Sequence, residues 1–193
     1  MAYPTVSAPY GFKPINRVDG MPYAGATRSY AIDDGADIFY GDLVILVQGE
    51  IEPFTGTASG YPVGVFVGCS YTNSMGQTIY GQYYPAGAAD GVAKVVVDDQ
   101  AAYQVAVTSN GTAIDSTTTI ASIGANIEVA QGAGGDTTTG NSSMSVNAGS
   151  EDTTSTLPIR IIDVVPATET TTGYPELIVK INVTQFQNAT GVV

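Results

Sequence analysis

Four aspartates, Asp33, Asp34, Asp37 and Asp42, form the densest set of hard oxygen ligands in the chain. A calcium ion takes about six to eight such oxygens, but the spacing fits neither an EF-hand loop nor a Gly/Asp β-helix repeat. Gly35 and Gly41 give the same acids a second reading as turn formers, and that reading is favoured over calcium. Asp98-Asp99 reads as a solvated turn rather than an acid/base pair. Cys69, the sole cysteine, ends the apolar run Val63-Gly-Val-Phe-Val-Gly-Cys69. It reads as a small buried hydrophobe, not a nucleophile, and no intrachain disulfide can form. The chain has no histidine, which removes Ser-His-Asp triads, Cys-His dyads and His-containing zinc sites. Paired carboxylates can cleave glycosides without histidine, but there is no tryptophan to make a sugar platform. Tyr71, Tyr80, Tyr83 and Tyr84 offer the nearest substitute, and tyrosines in such runs more often line sheets and interfaces. The expectation is a protein that is not an enzyme and holds no cofactor or metal.

The elements that position these residues are strands. Only four leucines occur, while Val, Ile and Thr supply close to a third of the chain. Such side chains are stiff at χ1 and suit a pleated surface. With 23 Gly and 10 Pro as punctuation, the chain reads as all-β, a β-sandwich or barrel of about ten short strands. Its net charge of −12 disfavours nucleic acid as a partner. Met-Ala-Tyr-Pro-Thr at the start lacks the basic and apolar regions of a secretory signal. No apolar run approaches the ~20 residues that span a bilayer, so no membrane partner is expected.

Three regions follow. Residues 1–27, rich in Pro and carrying Tyr3, Tyr10, Phe12 and Tyr23, read as an extended N-terminal arm. Residues 28–185 read as the β body, with a hairpin at Leu43–Gln48, Gly49 and Glu50–Phe54. In Pro62–Tyr71, alternation puts Val63, Val65, Val67 and Cys69 on one face and Gly64, Phe66 and Gly68 on the other. The flanking glycines announce a close backbone approach or a sharp twist. Residues 111–156 read as a Ser/Thr/Gly-rich β-ribbon insertion with mobile surface loops and short strands at 119–123, 127–129 and 142–146. Residues 186–193 form a short C-terminal tail. Lys13, Arg17 and Arg28 are half of the chain's basic residues. Against Asp19 alone they leave residues 1–28 at +2, while three cations and 17 acids leave the rest at −14.

An ordered set of motifs runs the length of the chain: Pro9-Tyr-Gly-Phe-Lys-Pro14, Pro22-Tyr-Ala-Gly-Ala-Thr-Arg28, Phe39-Tyr-Gly-Asp-Leu-Val44, Gly49-Glu-Ile51, Pro62-Val-Gly-Val-Phe-Val-Gly-Cys69, Leu157-Pro-Ile-Arg-Ile-Ile-Asp-Val164 and Glu176-Leu-Ile-Val-Lys-Ile-Asn182. In this the chain resembles the head decoration, or cement, proteins of tailed bacteriophages, especially those infecting aquatic bacteria. The resemblance implies a virion protein, made in the host cytoplasm, on the outer surface of the capsid. It also implies the major capsid protein as partner and a homotrimer of the chain itself. On that reading Tyr10, Phe12, Lys13, Arg17 and Arg28 contact the capsid, and Tyr80, Tyr83 and Tyr84 lie between copies. Removal of residues 1–27 would then abolish binding and spare the body. Two other readings are a carbohydrate- or receptor-binding module of a phage tail or surface, and a subunit of the shell itself.

Overall fold

The computed structural model describes residues 8–23, 25–56, 60–111, 113–114, 118–132, 134–165, 167–168 and 174–187. In chain order the first half gives β1 (Lys13–Arg17), β2 (Thr27–Ile32), β3 (Ile38–Phe39), β4 (Leu43–Val47), β5 (Glu50–Pro53), β6 (Gly64–Thr72), β7 (Thr78–Gly81) and β8 (Tyr83–Tyr84). The second half gives β9 (Ala89–Val96), β10 (Ala101–Ser109), β11 (Ala113–Ile114), β12 (Asn126–Ile127), β13 (Val129–Ala130), β14 (Ser145–Asn147), β15 (Ile159–Val164) and β16 (Glu176–Ile181). The protein is all-β.

Strands β2, β4, β5, β6 and β9 close into a small barrel. β4 pairs with β5, β5 with β2, β2 with β9, β9 with β6, and β6 returns to β4, while β7 is added outside β6. All these pairings are antiparallel except β2–β5. The β4–β5 hairpin turns through Gln48 (φ 51°) and Gly49 (φ 93°), the two left-handed residues of a type I′ turn. Closure depends on Gly64, where a Cβ would lie 2.0 Å from the Val96 carbonyl oxygen.

Alternation along β4, the start of β6 and the end of β9 gives the wall two buried faces. Val44, Ile51, Phe66, Ala93 and Val95 fill the barrel interior with Ile32, Val63 and Cys69. Leu43, Ile45, Phe54, Val65 and Val96 point outward into a second core. The expected alternation holds only from Val65 to Val67, which share one core across Phe66; Val63, just before the strand, joins Phe66 in the barrel interior instead. A bulge between Phe66 and Gly68 (φ 137°) inserts one residue and turns Cys69 to the same side as Phe66.

The second core is covered by an eight-stranded sheet in the order β12-β15-β16-β10-β14-β13, with β1 and β11 also paired to β10. β10 is its axis. Tyr103, Val105 and Val107 of β10 meet Ile159, Ile161, Leu177 and Val179 over the outer barrel wall.

Two peripheral assignments need correction. Lys13–Arg17 of the expected arm is a strand of this sheet, antiparallel to β10, and Phe12 has 0% exposure, edge-on to Tyr103 at 6.5 Å between ring centroids. Burial of one such ring stabilises by about 1.5–3 kcal/mol, so removing residues 1–27 would take part of the core with it. Residues 1–7 lie outside the described residues. The Ser/Thr/Gly-rich insertion does form a ribbon, β13 with β14, but β14 also runs parallel to β10. Ile127, Met144 and Val146 are buried in the main core. The expected strand at 119–123 is a 3-10 turn, Ile120–Ser122, because Thr119 and Ser122 form a reciprocal capping box. Of the tail, Phe186 and Gln187 are described and 188–193 are not. Just before it, the Gln185 amide bonds both the N–H (2.7 Å) and C=O (3.0 Å) of Leu46, as a strand would.

Candidate functional site

The Gly41-Asp42 corner joins three remote parts of the chain. Gly41 C=O accepts from Phe12 N–H at 2.8 Å, and Gly41 N–H donates to Phe66 C=O at 2.9 Å. Next to it, Tyr40 bonds Gly140 and Ser142 of the ribbon through its own N–H and C=O, both at 2.9 Å. Gly11 N–H donates to Met144 C=O, and Leu43 N–H meets Met144 Sδ at 3.3 Å. Gly11 (φ 81°) has no room for a Cβ, which would lie 2.7 Å from that of Ser142. Asp42 is buried here, and its carboxylate accepts from Phe39 N–H at 2.7 Å. Burial pushes its pKa up to about 6, against the opposing pull of the Ser142 and Phe39 hydrogen bonds.

The four clustered aspartates therefore do not converge. Asp33 holds its own turn through Gly35 N–H (2.7 Å), Asp37 accepts from Ala86 N–H (2.8 Å), and Asp34 C=O accepts from Gly87 N–H. Among the described residues no group of three or more His, Cys, Asp or Glu is arranged to hold a metal ion. Asp98 caps the turn between β9 and β10 by accepting from Gln100 N–H at 2.9 Å. Cys69 lies in the barrel core, where burial pushes its thiol up to about 11, far from a thiolate at neutral pH.

No protein-family model, curated protein or solved structure matches this chain.

The five residues expected at the capsid separate into distinct environments. Phe12 is a core side chain and presents no contact surface. Tyr10 is half-buried, and its hydroxyl donates to Glu176, a buried carboxylate on β16. Desolvation and the Glu176 charge both hold the Tyr10 hydroxyl in its neutral form. Lys13 is exposed beside Tyr10, Gln104 and Glu176 at a surface hollow, and its ammonium makes no hydrogen bond or ion pair among the described residues. Arg17 lies 3.5 Å from the Asp19 carboxylate and 3.4 Å from that of Asp98. Arg28 is exposed on β2, with its guanidinium 5.8 Å from the Phe186 ring centroid.

Beyond β1 the chain folds back, with Arg17 N–H donating to Met21 C=O at 2.9 Å. That return leaves Val18 and Met21 exposed, at 37% and 60%. These two apolar side chains next to Arg17 were not singled out from the sequence. The signal was their place in the cation-rich segment, where a methionine has no amphipathic strand to bury it.

The three tyrosines expected between copies also part company. Tyr84 is fully buried and donates to Ala88 C=O, so it is a core residue and not an interface side chain. Tyr83 is half-buried and stacks on Phe39 at 5.4 Å between centroids. Tyr80 stands out from β7 at 84% exposure.

Proposed function

We propose that the protein is a head decoration, or cement, protein of a tailed bacteriophage, bound outside an assembled capsid and bridging subunits of the major capsid protein. The observation that carries this reading is where the resembling motifs fall. Gly41-Asp42-Leu43-Val44, Gly49-Glu50-Ile51 and Pro62–Cys69 are the corner, hairpin turn and closing strand of one barrel, and Gly11-Phe12 is stapled to that corner. These motifs thus describe one structural unit, those at 157–164 and 176–182 supply β15 and β16 of the neighbouring sheet, and none of them marks a catalytic site.

The docking face is the outer side of β1 and the return that follows it, carrying Lys13, Val18 and Met21, while Arg17 stands opposite the core residue Ala101 and is held by Asp19 and Asp98. A mixed apolar and cationic patch suits a contact with hot spots, and the acidic remainder faces solvent. Binding only the assembled shell stabilises that shell by mass action. Repetition around the capsid symmetry multiplies weak contacts through effective concentration.

The test is co-sedimentation of the full chain with capsids lacking it, beside a Lys13→Glu, Met21→Glu variant. Both positions are solvent-facing, so the variant keeps the parent's melting temperature. Saturable binding by the parent and loss of binding by the variant are expected. A folded parent chain that fails to sediment with capsids contradicts the reading.

A further inference from the structure

The β6–β7 hairpin carries the two most exposed large apolar side chains of the described surface, Met75 at 82% and Tyr80 at 84%. Among the described residues β7 pairs with β6 alone. Asn73 N–H donates to Gln77 C=O at 2.9 Å, and Tyr71 stands opposite Ile79 in the same ladder. The alternation of an antiparallel pair then turns the N–H and C=O of Ile79 toward β6 and those of Thr78 and Tyr80 outward. Open edges are normally guarded by charge, proline or a bulge. β7 has no charge and no proline, and no charged residue occurs anywhere between Glu52 and Asp90.

That blank stretch selects the occupant. Two copies at −12 each repel wherever their acids face one another, so copies approach best across an uncharged edge. A strongly basic partner would find no acid on β7 to pair with. Antiparallel pairing about a two-fold axis needs no second sequence, because the edge complements itself. Centred on Ile79, it sets Thr78 of one copy opposite Tyr80 of the other, and both present outward backbone groups.

We propose that β7 pairs with β7 of a second copy, joining two barrels into one continuous sheet with Tyr80 packed across the seam. This is independent of the capsid reading and, unlike the expected trimer, brings copies together in twos. Four residues a side bury less than the ~1,000 Å² of a lasting interface, so the dimer forms at high protein concentration. Salt favours it by screening the like charges.

Analytical ultracentrifugation of the full chain over a concentration series, at low and high salt, tests this. A monomer–dimer equilibrium that tightens with salt is expected. Tyr80→Lys puts a charge on the edge, and Thr78→Pro removes an outward N–H without a bond to β6. Each raises the dimer dissociation constant about tenfold or more, with unchanged circular dichroism and melting temperature. A chain that stays monomeric throughout overturns the proposal. So does a trimer, or a dimer indifferent to both substitutions.

Discussion

The barrel and the eight-stranded sheet are built from the same kinds of residue but assembled differently. The barrel comes from one stretch, β2 to β9, and its ring closes on itself. The sheet gathers β1 from near the start, β12 to β14 from the Ser/Thr/Gly-rich segment and β15 and β16 from near the end, all around β10. Its core also borrows the outer wall of the barrel. Local pattern therefore suffices for the barrel, whereas the sheet is held by long-range contacts that no single segment announces.

The sharpest way to break this comparison is at Phe12. If the N-terminal segment is integral to the sheet, Phe12→Ala costs about 3–5 kcal/mol in urea unfolding. An independent arm would lose less than about 0.5 kcal/mol. Met144→Ala asks the same of the ribbon. Buried between the Gly41-Asp42 corner and the sheet, it should cost about 2–5 kcal/mol, where a surface insertion would cost almost nothing.

The corner itself is tested by pH. Burial holds the folded Asp42 pKa at about 6, above the ordinary aspartate value of 3.8. Between these values the folded state holds the proton more firmly than the unfolded state. This group's contribution is most favourable below about pH 4, falls as pH rises toward 6 and is constant above that. The change is on the order of 2–3 kcal/mol, and Asp42→Asn should remove it from a pH series of urea midpoints. The exposed Asp136 and Asp152, lowered by hydrogen bonds from their following threonines, act oppositely, with stability lost as pH falls through their own lower values. A slope between pH 4 and 6 that survives Asp42→Asn contradicts the assignment. The smallest expected effect is at Tyr80, which packs on neither core. Tyr80→Lys should shift the folding free energy by less than about 0.5 kcal/mol while still weakening self-association.

Most of the barrel was legible in the sequence. The hairpin at Gly49 and the glycines around Phe66 each carry a local signature that the fold honours. The burial of Phe12 and Met144 was not legible, because each lies in a polar or proline-rich stretch with no regular apolar spacing. Periodicity has nothing to report there, and only the distant partners, Tyr103 for Phe12 and Leu43 for Met144, explain the burial. Asp42 looked like one of four equivalent acids until the Gly41 corner buried it alone. At the surface, charge pointed to Lys13, Arg17 and Arg28. It could not separate Tyr80 from Tyr84, because two-residue β8 turns inward where β7 stands out.

The capsid reading is tested most directly by adding purified protein to capsids that lack it and heating them. Saturable binding that raises the capsid's disruption temperature is the result expected of a cement protein that bridges subunits. A folded protein that does not bind, or that binds and leaves the disruption temperature unchanged, contradicts that role.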